Sequence, residues 1–353
     1  MEDWAGAAGR AEGGRVADGK AGGGRPTIYD VAKEAGVSPS TVSRAMSNPG
    51  RVNATTAARV ADVAARLGYR TNTLARALPS GRTDTLALFV SDITNPHFFG
   101  VIRGAEHQAR AAGCTLIVGD TEESPEVEAR NIERLGPSVD GFVIAASRMS
   151  DEEITGLSAG HRLVLISREV ADVPSVIVDH AEGTRQIVEH LASLGHRSIV
   201  FLGGPPRSWL GARRWESLAP AAGRHGIAAR RIGPFPPTMA GGAAAADAAL
   251  GTGATAAVAH NDLLAIGVLR RCAERGVSVP GDLSVVGYDD IFGADFCSPP
   301  LTTLAGQFEE SGRTAVDMLL AMRDRHGVRP PRDRVILPSH LAIRHSTGPA
   351  PER

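Results

Sequence analysis

The chain contains 353 residues, of which 42% are hydrophobic and 22% charged, and its formal net charge at pH 7 is −1. No apolar run approaches the ~20 residues of a membrane-spanning helix, and the N-terminus lacks the apolar stretch of a secretory signal. Three widely spaced cysteines, an odd number, argue against a disulfide framework. The composition therefore excludes a membrane protein and a disulfide-rich secreted protein, and it predicts a cytoplasmic chain with two or three compact units.

The two ends of the chain predict no packed structure. Residues 1–26 are rich in glycine and alanine and show no hydrophobic periodicity. Such a segment has too little apolar surface to form a core, so it is expected to be a disordered tail. A second, short tail is expected over residues 347–353.

Residues 27–72 predict a helix-turn-helix head. Thr27 is a capping residue for a first helix whose apolar side chains recur at helical spacing, and Gly36 interrupts that helix. Ser38 and Pro39 then begin a second helix, as cap residue and first helical residue. The outer face of this second helix carries small or polar side chains that a DNA groove accepts, and a third helix follows it.

The charge of this region separates a DNA-binding head from an ordinary three-helix bundle. Residues 27–83 carry eight basic and three acidic side chains, a net charge of +5 in a chain whose total is −1. The remainder of the chain is therefore acidic by 6 charges. A basic module attached to a mildly acidic body is typical of proteins that bind the phosphates of nucleic acids.

From residue 85 the pattern changes to short buried strands alternating with helices of 10 to 15 residues. This alternation predicts parallel sheets with helices on both faces, and the pattern begins again near residue 181. We therefore expect residues 85–346 to form two doubly wound parallel-sheet subdomains with a cleft between them. Residues 73–84, helical up to a proline, are expected to link the head to this core.

Polar side chains follow several of the predicted strands. In open α/β sheets, ligands bind beyond the carboxyl ends of the strands, so these side chains are expected to converge on the cleft. Carboxylates and amides suit a hydroxyl-rich ligand, and an aromatic ring can cover the apolar face of a sugar. For Asp120 and Asp179 the alternative, capping a following helix, carries equal weight. The candidates taken from the strand ends are Asp92, Asn95, Phe98, Asp120, Asn261 and Asp289.

The motifs of common α/β enzymes are missing. No G-x-G-x-x-G lies between a first strand and a helix, and the formal G-x-S-x-G at residues 156–160 lies at the end of a helix, where a nucleophile elbow cannot form. The eleven histidines are not paired with cysteine or carboxylate at metal-ligand spacing. We therefore predict no catalytic residues, no cofactor and no metal.

Four longer segments of the chain are TIYDVAKEAGVSPSTVSRAM, DITNPHFFGVIRGAE, LGHRSIVFLGGPP and HNDLLAIGVLRRCAERGVSVPGDLSVVGYDDI. They closely resemble the LacI/GalR family of transcriptional regulators, and the resemblance extends over residues 27–345. It implies an N-terminal all-α helix-turn-helix head with a hinge helix, then an α/β core similar to periplasmic sugar-binding proteins. By the same resemblance the first subdomain contains about 85–180 and 305–337, and the second about 181–304 and 338–346.

The resemblance also implies the residues that contact double-stranded operator DNA. Pro39, Ser40 and Arg44 occupy the base-reading positions, and Arg44 is the best candidate for a guanine because its guanidinium pairs with two acceptors at once. Leu78 holds the place of a leucine that enters the minor groove, with Asn72 and Ala75 beside it; an ordinary linker is the alternative. Six residues are expected to position phosphates: Tyr29, Ser38, Thr41, Asn48, Thr56 and Tyr69.

In the cleft, the resemblance favours Arg214, Asn261 and Asp289 as effector contacts, with Gln307 and Arg168 as weaker candidates. His180 stands where the family usually has asparagine. The implied function is a repressor that acts as a homodimer on a pseudo-palindromic operator under the control of a small ligand. A sugar is the family-level expectation for that ligand, and a nucleobase or nucleoside is the alternative. Two other classes of function remain open: a stand-alone sugar-binding protein, and an α/β enzyme with an accessory DNA-binding head.

Overall fold

The computed structural model describes residues 26–47, 49–69, 82–324 and 334–352. The chain divides into two compact units, residues 1–79 and 80–353. Several sequence predictions lie outside the described residues: the tail up to residue 25, the hinge segment up to residue 81, and the DNA contacts Asn48, Asn72, Ala75 and Leu78.

The first unit is the predicted three-helix head. Its helices are α1 (Ile28–Ala35), α2 (Pro39–Ser47) and α3 (Ala54–Leu67), with a 3₁₀ turn at Pro49–Arg51 between the last two. The Thr27 side chain accepts from the backbone N–H of Asp30 while the Asp30 carboxylate accepts from that of Thr27, so two donors at the start of α1 are satisfied. Gly36 ends α1 with φ 63°, a backbone conformation that side chains with a Cβ rarely adopt.

A small apolar core holds the three helices of the head together. Val31, Val42 and Val60, one from each helix, are fully buried, and alanines fill the space between them. Small residues at these crossings allow the helix backbones to approach closely. Ser40, Ser43 and Arg44, on the outer face of α2, are exposed and lie outside this core.

The second unit alternates strands and helices. Its first part contains β1 (Thr85–Val90), α4 (His97–Ala111), β2 (Thr115–Asp120), α5 (Pro125–Leu135), β3 (Gly141–Ala145), α6 (Asp151–Gly160), β4 (Leu163–Ile166) and β5 (Ser175–Val178). Its middle part contains α7 (His180–Ser193), β6 (Ser198–Leu202), α8 (Trp209–Arg224), β7 (Ala228–Ile232), α9 (Gly242–Gly251), β8 (Ala256–Ala259), α10 (Asp262–Glu274), β9 (Ser284–Tyr288) and β10 (Thr302–Gly306). Its last part contains α11 (Phe308–Asp324), β11 (Arg334–Leu337) and β12 (Ser339–Ala342).

These strands form two six-stranded sheets, one for each subdomain. The first has the order β11-β5-β4-β3-β1-β2, with all neighbours parallel. The second has the order β12-β10-β9-β8-β6-β7, and within the described chain only β12 is antiparallel to its neighbour. The strands next to the sheet centres are buried on both faces, as helices on each side of a parallel sheet require. The predicted fold class, a helical head and two doubly wound parallel-sheet subdomains, is confirmed.

The chain passes between the two sheets three times, and each passage is one residue long. Asp179 separates β5 from α7, Gln307 separates β10 from α11, and Pro338 separates β11 from β12. The Ser339 hydroxyl donates to the Asp179 carbonyl at 2.7 Å, which ties two of these passages together. Since β11 and β5 stand at one edge of the first sheet and β12 and β10 at one edge of the second, all three passages lie at that edge.

Two features of the second subdomain were not anticipated. Strand β7 has mostly exposed side chains and little hydrophobic alternation, so its sequence does not predict a strand. Residues 347–350 are attached to the subdomain, although a tail was expected there: the backbone N–H of Ala350 donates to Leu194, and Gly348 exchanges hydrogen bonds with Ser284. Within the described residues, no helix is long and apolar enough to cross a membrane.

Candidate functional site

A cleft between the two subdomains collects polar side chains from the carboxyl ends of both sheets. Ser91, Asp92, Asn95, His97, Phe98, Glu123, Ala146 and Arg148 line it from the first subdomain, and Ser208, Leu210, Arg214, Pro237, His260, Asn261 and Asp289 line it from the second. The cavity that they enclose is narrow, about 30 Å³. Strand ends of parallel sheets converge in this way because every strand of a sheet ends at the same edge.

Arg214 and Asp289 form a buried ion pair at the centre of the cleft. The Arg214 side chain is 2% exposed, and its guanidinium donates to the Asp289 carboxylate at 2.8 Å and also to the carbonyl of His260. The guanidinium lies 4.2 Å from the centre of the Tyr288 ring. The ring is held in turn by a 3.0 Å hydrogen bond between its hydroxyl and Thr184. The contact with the Tyr288 ring and the hydrogen bonds of both terminal nitrogens therefore fix the orientation of the Arg214 guanidinium.

The backbone of Asp289 is strained. Its φ of 111° lies in a region that favours glycine, and Ala146, which faces it from the first subdomain, has φ 56°. Such conformations persist only where the surroundings hold them, and they concentrate at functional sites. Both residues line the cavity, directly after β9 and β3.

Three buried histidines surround this ion pair. His97 approaches Asp289 from the first subdomain, with 3.6 Å between its Nδ1 and the carboxylate, while His260 precedes Asn261 and His180 begins α7. Burial lowers the pKa of all three imidazoles, and the positive charge of Arg214 lowers each of them further, while the Asp289 carboxylate opposes part of this effect at His97. They are therefore neutral at pH 7.

Several polar atoms in this region have no hydrogen-bond partner among the described residues. They are Nδ1 of His97, both ring nitrogens of His180, Nδ1 of His260 and Nε of Arg214. Three of these atoms, on His97, His260 and Arg214, belong to residues that line the cleft, whereas His180 lies outside that lining, and a ligand or water in the cleft can complete their hydrogen bonding.

Asn261, Asp92 and Asn95 combine a place in the cleft with a structural hydrogen bond. The Asn261 side chain caps α10 by accepting from the N–H of Leu264 and donates to the Pro237 carbonyl. Asp92 accepts from the backbone and hydroxyl of Thr94, and Asn95 accepts from the N–H of His97. These bonds fix the side chains before any ligand arrives.

Three predicted effector contacts lie elsewhere. Asp120 accepts from the backbone N–H of Glu122 and shapes the turn after β2. Arg168 is buried but is directed toward Asp151, to which it donates at 2.6 Å. Gln307 is exposed at the passage between β10 and α11. Asp179, for which capping was the alternative, caps α7 through the N–H of Glu182.

The cleft also contains residues that the sequence did not indicate. Arg148 comes just after β3 and His260 just after β8, so the rule that selected the other strand-end residues could have identified both. Glu123 lies in the turn before α5, where the sequence offers no such signal. Its carboxylate binds the Arg148 guanidinium through two hydrogen bonds.

Gly204, just after β6, makes room for one of the cleft histidines. A Cβ at this position would lie 2.5 Å from the imidazole ring of His260. Real Cβ atoms do not approach so closely, so a larger residue would displace the ring. This glycine therefore shapes the cleft.

In the head, the residues predicted to face DNA lie on the surface. Ser38, Ser40 and Arg44 are exposed, and Tyr29 is 70% exposed. Pro39, Thr41, Thr56 and Tyr69 are partly buried. The Ser38 hydroxyl is within hydrogen-bond distance of the hydroxyls of Ser40 and Thr41 and accepts from the backbone N–H of Thr41, at the start of α2. A helix N-terminus carrying exposed hydroxyls is suited to phosphate contact.

No cluster of residues suited to a metal ion occurs in the described parts of the chain. Both guanidiniums of the cleft are paired with carboxylates, Arg214 with Asp289 and Arg148 with Glu123. This arrangement can bind and enclose a polar molecule.

Comparison with known proteins gives matches for both units. The family model of bacterial regulatory proteins, lacI family, matches residues 27–72, and that of the periplasmic binding protein-like domain matches residues 188–347. HTH-type transcriptional regulator DegA of Bacillus subtilis is 32% identical, with 92% of this chain and 99% of DegA covered.

Two solved structures extend the comparison to the whole fold. The lac repressor dimer bound to operator and the anti-inducer ONPF has a TM-score of 0.80 and 29% identity, over 92% of this chain and all of that one. The complex of the transcriptional regulator CelR with cellobiose has a TM-score of 0.67 and 29% identity, over 91% of this chain and all of that one.

Proposed function

The chain belongs to the LacI family of bacterial regulatory proteins, and from this membership we propose that it is a ligand-controlled repressor acting as a homodimer. That it is a DNA-binding transcriptional regulator follows from the family itself and from relatives that match almost the entire chain. The alternatives, a stand-alone sugar-binding protein and an enzyme with an accessory head, are thereby set aside. A protein that binds operator DNA works in the cytoplasm, where we place it.

One observation carries the proposal for ligand control: a cleft whose two walls belong to different subdomains. Asp289 and Arg214 belong to one wall and His97 and Asp92 to the other. A molecule that contacts both walls stabilises one relative position of the subdomains over others, which is the condition for a ligand to shift a conformational equilibrium.

The ligand that we propose is a sugar. The cleft offers paired carboxylate oxygens, two amides and neutral imidazoles, which bind hydroxyl groups, while Phe98 and Leu210 supply apolar surface. CelR, which has a similar fold, is seen in complex with cellobiose. The described cavity is about 30 Å³, whereas pockets for small molecules measure about 300–1,000 Å³, so a sugar requires the subdomains to move apart before it enters.

On DNA, we propose that α2 lies in the major groove. Ser40 and Arg44 are exposed on it, and Arg44 can donate to two acceptors of a guanine. Pro39 and Ser40 offer few donors, so we expect part of the sequence preference to come from DNA shape. Tyr29, Ser38, Thr41, Thr56 and Tyr69 would position the phosphates.

A homodimer is supported by apolar side chains exposed on the second unit. Phe292 and Phe296 are 78% and 66% exposed, and their rings contact each other edge to face at 5.1 Å between centres. Exposed pairs of large aromatic side chains commonly mark interfaces between proteins. A second copy of the chain would cover them and place two heads on the two halves of a pseudo-palindromic operator.

Thermal unfolding against a panel of sugars, nucleobases and nucleosides tests the ligand part of the proposal. A ligand at about 100 times its dissociation constant stabilises the folded state by about 2.7 kcal/mol. Asp92 follows β1 and Asp120 ends β2, but of these two residues only Asp92 lines the cleft. Asp92→Asn should weaken the stabilisation and Asp120→Asn should leave it unchanged; equal effects would place the ligand elsewhere.

The stabilising ligand is then added to a complex of the protein with operator DNA selected from random sequence. Release or tightening of that complex supports ligand control. Turnover of the ligand into another compound would contradict the proposal and favour an enzyme.

A further inference from the structure

The charged groups that line the cleft nearly balance. Three carboxylates, those of Asp92, Glu123 and Asp289, face two guanidiniums, those of Arg148 and Arg214. With the imidazoles neutral, the lining carries one net negative charge. A phosphate group would bring up to two further negative charges into a space with low exposure to water, where charge repulsion is poorly screened.

Each guanidinium of the cleft is already neutralised by a carboxylate. Arg214 is bound to Asp289, and Arg148 is bound to Glu123. The Arg148 side chain is 6% exposed, and beyond its two bonds to Glu123 it donates to the carbonyl of Ala146 at 2.8 Å. Arginine binds phosphate through this same pair of parallel donors, so Glu123 occupies the position that a phosphate would take.

The chain holds Glu123 in place by a strained turn. Glu122 and Glu123 have φ of 52° and 57°, values that side chains with a Cβ adopt only where other contacts impose them. The N–H of Glu122 is bound by the Asp120 carboxylate at 3.0 Å, and the N–H of Glu123 donates to the Ser91 carbonyl at 2.7 Å. These two bonds direct the Glu123 carboxylate toward Arg148 across the end of the sheet.

The two histidines of the cleft do not supply positive charge either. His97 and His260 line the cavity, and burial lowers the pKa of both, so each presents a neutral nitrogen. Neutral imidazoles exchange hydrogen bonds with hydroxyl or amide groups and do not compensate an anion.

From this arrangement we infer that Glu123 sets the ligand class of the cleft: by neutralising Arg148 it restricts binding to uncharged, hydroxyl- or amide-bearing molecules and excludes their phosphate esters. The inference rests on the proposed function, because it concerns the ligand of the same cleft.

Inorganic phosphate is the direct probe of this inference. Phosphate should give no saturable stabilisation of the wild-type protein against thermal unfolding. Glu123→Gln, which frees the Arg148 guanidinium, should bind phosphate at least tenfold more tightly than the wild-type protein does. Glu122→Gln is the matched control, because it removes the same charge from the neighbouring, exposed residue without releasing Arg148. Adding Arg148→Met to Glu123→Gln should abolish the gain, and circular dichroism checks that each variant is folded.

Two results would overturn the inference: phosphate binding by the wild-type protein that Arg148→Met removes, or equal gains in the two glutamine variants. Free pentoses and hexoses compared with their phosphate esters supply a second readout. A phosphate ester that stabilises the wild-type protein and changes its affinity for operator would refute the role of Glu123 while leaving the proposed repressor function intact. Failure to bind operator DNA would refute the proposed function and leave the phosphate measurements valid.

Discussion

Replacing Arg214 by methionine tests whether the ion pair at the centre of the cleft is desolvated. The substitution keeps much of the side-chain volume but leaves the Asp289 carboxylate and the His260 carbonyl without their donor. Removing one partner of a buried pair costs about 3–5 kcal/mol, because the remaining charge stays in the interior uncompensated. We therefore expect Arg214→Met to lower the free energy of unfolding by about 3–5 kcal/mol.

The neighbouring arginine provides the control. Arg213 binds Glu216 at 2.7 Å, and both side chains are more than half exposed. Exposed ion pairs contribute about 0–1 kcal/mol, and the Arg213 guanidinium also lies 5.2 Å from the centre of the Trp209 ring, a contact worth about 0.5–1 kcal/mol, so Arg213→Met should cost less than about 2 kcal/mol. Urea unfolding followed by circular dichroism gives both values, provided that the slopes agree among the variants.

A double variant separates lost charge compensation from lost packing. Arg214→Met combined with Asp289→Asn removes the charge that was left unpaired. It should be at least about 1 kcal/mol more stable than the sum of the single effects predicts. If Arg214→Met were as mild as Arg213→Met, the pair would be effectively in contact with water, and the reasoning about the cleft would be wrong.

Four further predictions concern other parts of the molecule. Arg44→Ala should weaken binding to the selected operator by about 1–3 kcal/mol and relax one base position in a binding assay, whereas equal losses on all DNA sequences would make Arg44 a phosphate contact. Because burial and then the charge of Arg214 lower the pKa of His180, the folded chain keeps it neutral while the unfolded chain takes up a proton below about pH 6.5. Its contribution to stability is therefore complete above that pH and is lost as the pH falls, by up to about 1.4 kcal/mol per unit. His97 and His260 are also buried with lowered pKa values, so His180→Gln should reduce the slope of stability against pH in urea titrations by its own share, and an unchanged slope would contradict the burial argument. Gly204→Ala should destabilise by about 1–3 kcal/mol in thermal unfolding because its Cβ meets the His260 ring. In contrast, Gly156→Ala, in open space on α6, should stabilise by about 0.5–1 kcal/mol, and the opposite order would contradict the packing argument. Phe292→Ser with Phe296→Ser should shift the protein from dimer to monomer in sedimentation, and an unchanged dimer would place the interface elsewhere.

The sequence predicted the fold because its local signals agree with the tertiary structure. Thr27, Gly36 and Ser38 stand at helix ends, and their roles depend on neighbours within a few residues. The buried strands next to the sheet centres appear as continuous apolar runs. Strand β7 was missed for the opposite reason: its side chains are mostly exposed, and pairing with β6 alone makes it a strand.

The cleft was only partly predictable. Asp92, Asn261 and Asp289 lie in it because strand ends of a parallel sheet share one edge, and their role as ligand contacts stays a prediction. Arg168 follows β4 in the same way, but its long side chain is directed to Asp151 on the neighbouring helix. The direction of a long side chain depends on the partners that the tertiary structure offers, and neither Arg168 nor Glu123 has its partner within ten residues.

The three single-residue passages between the sheets form the hinge between the two subdomains. Asp179, Gln307 and Pro338 all lie at the β11–β5 and β12–β10 edge, so any opening of the subdomains pivots there. Since neighbouring strands are about 4.8 Å apart, β1 lies about 19 Å from β11, and a rotation of about 10° would carry it about 3 Å while β5 moves less than about 1 Å. The side chains that follow β1 and β3 lie farther from the hinge than those that follow β5, and they therefore move farther when the subdomains open. The space available to a ligand therefore changes most beside β1 and β3. The residues next to the hinge hardly move when the subdomains open.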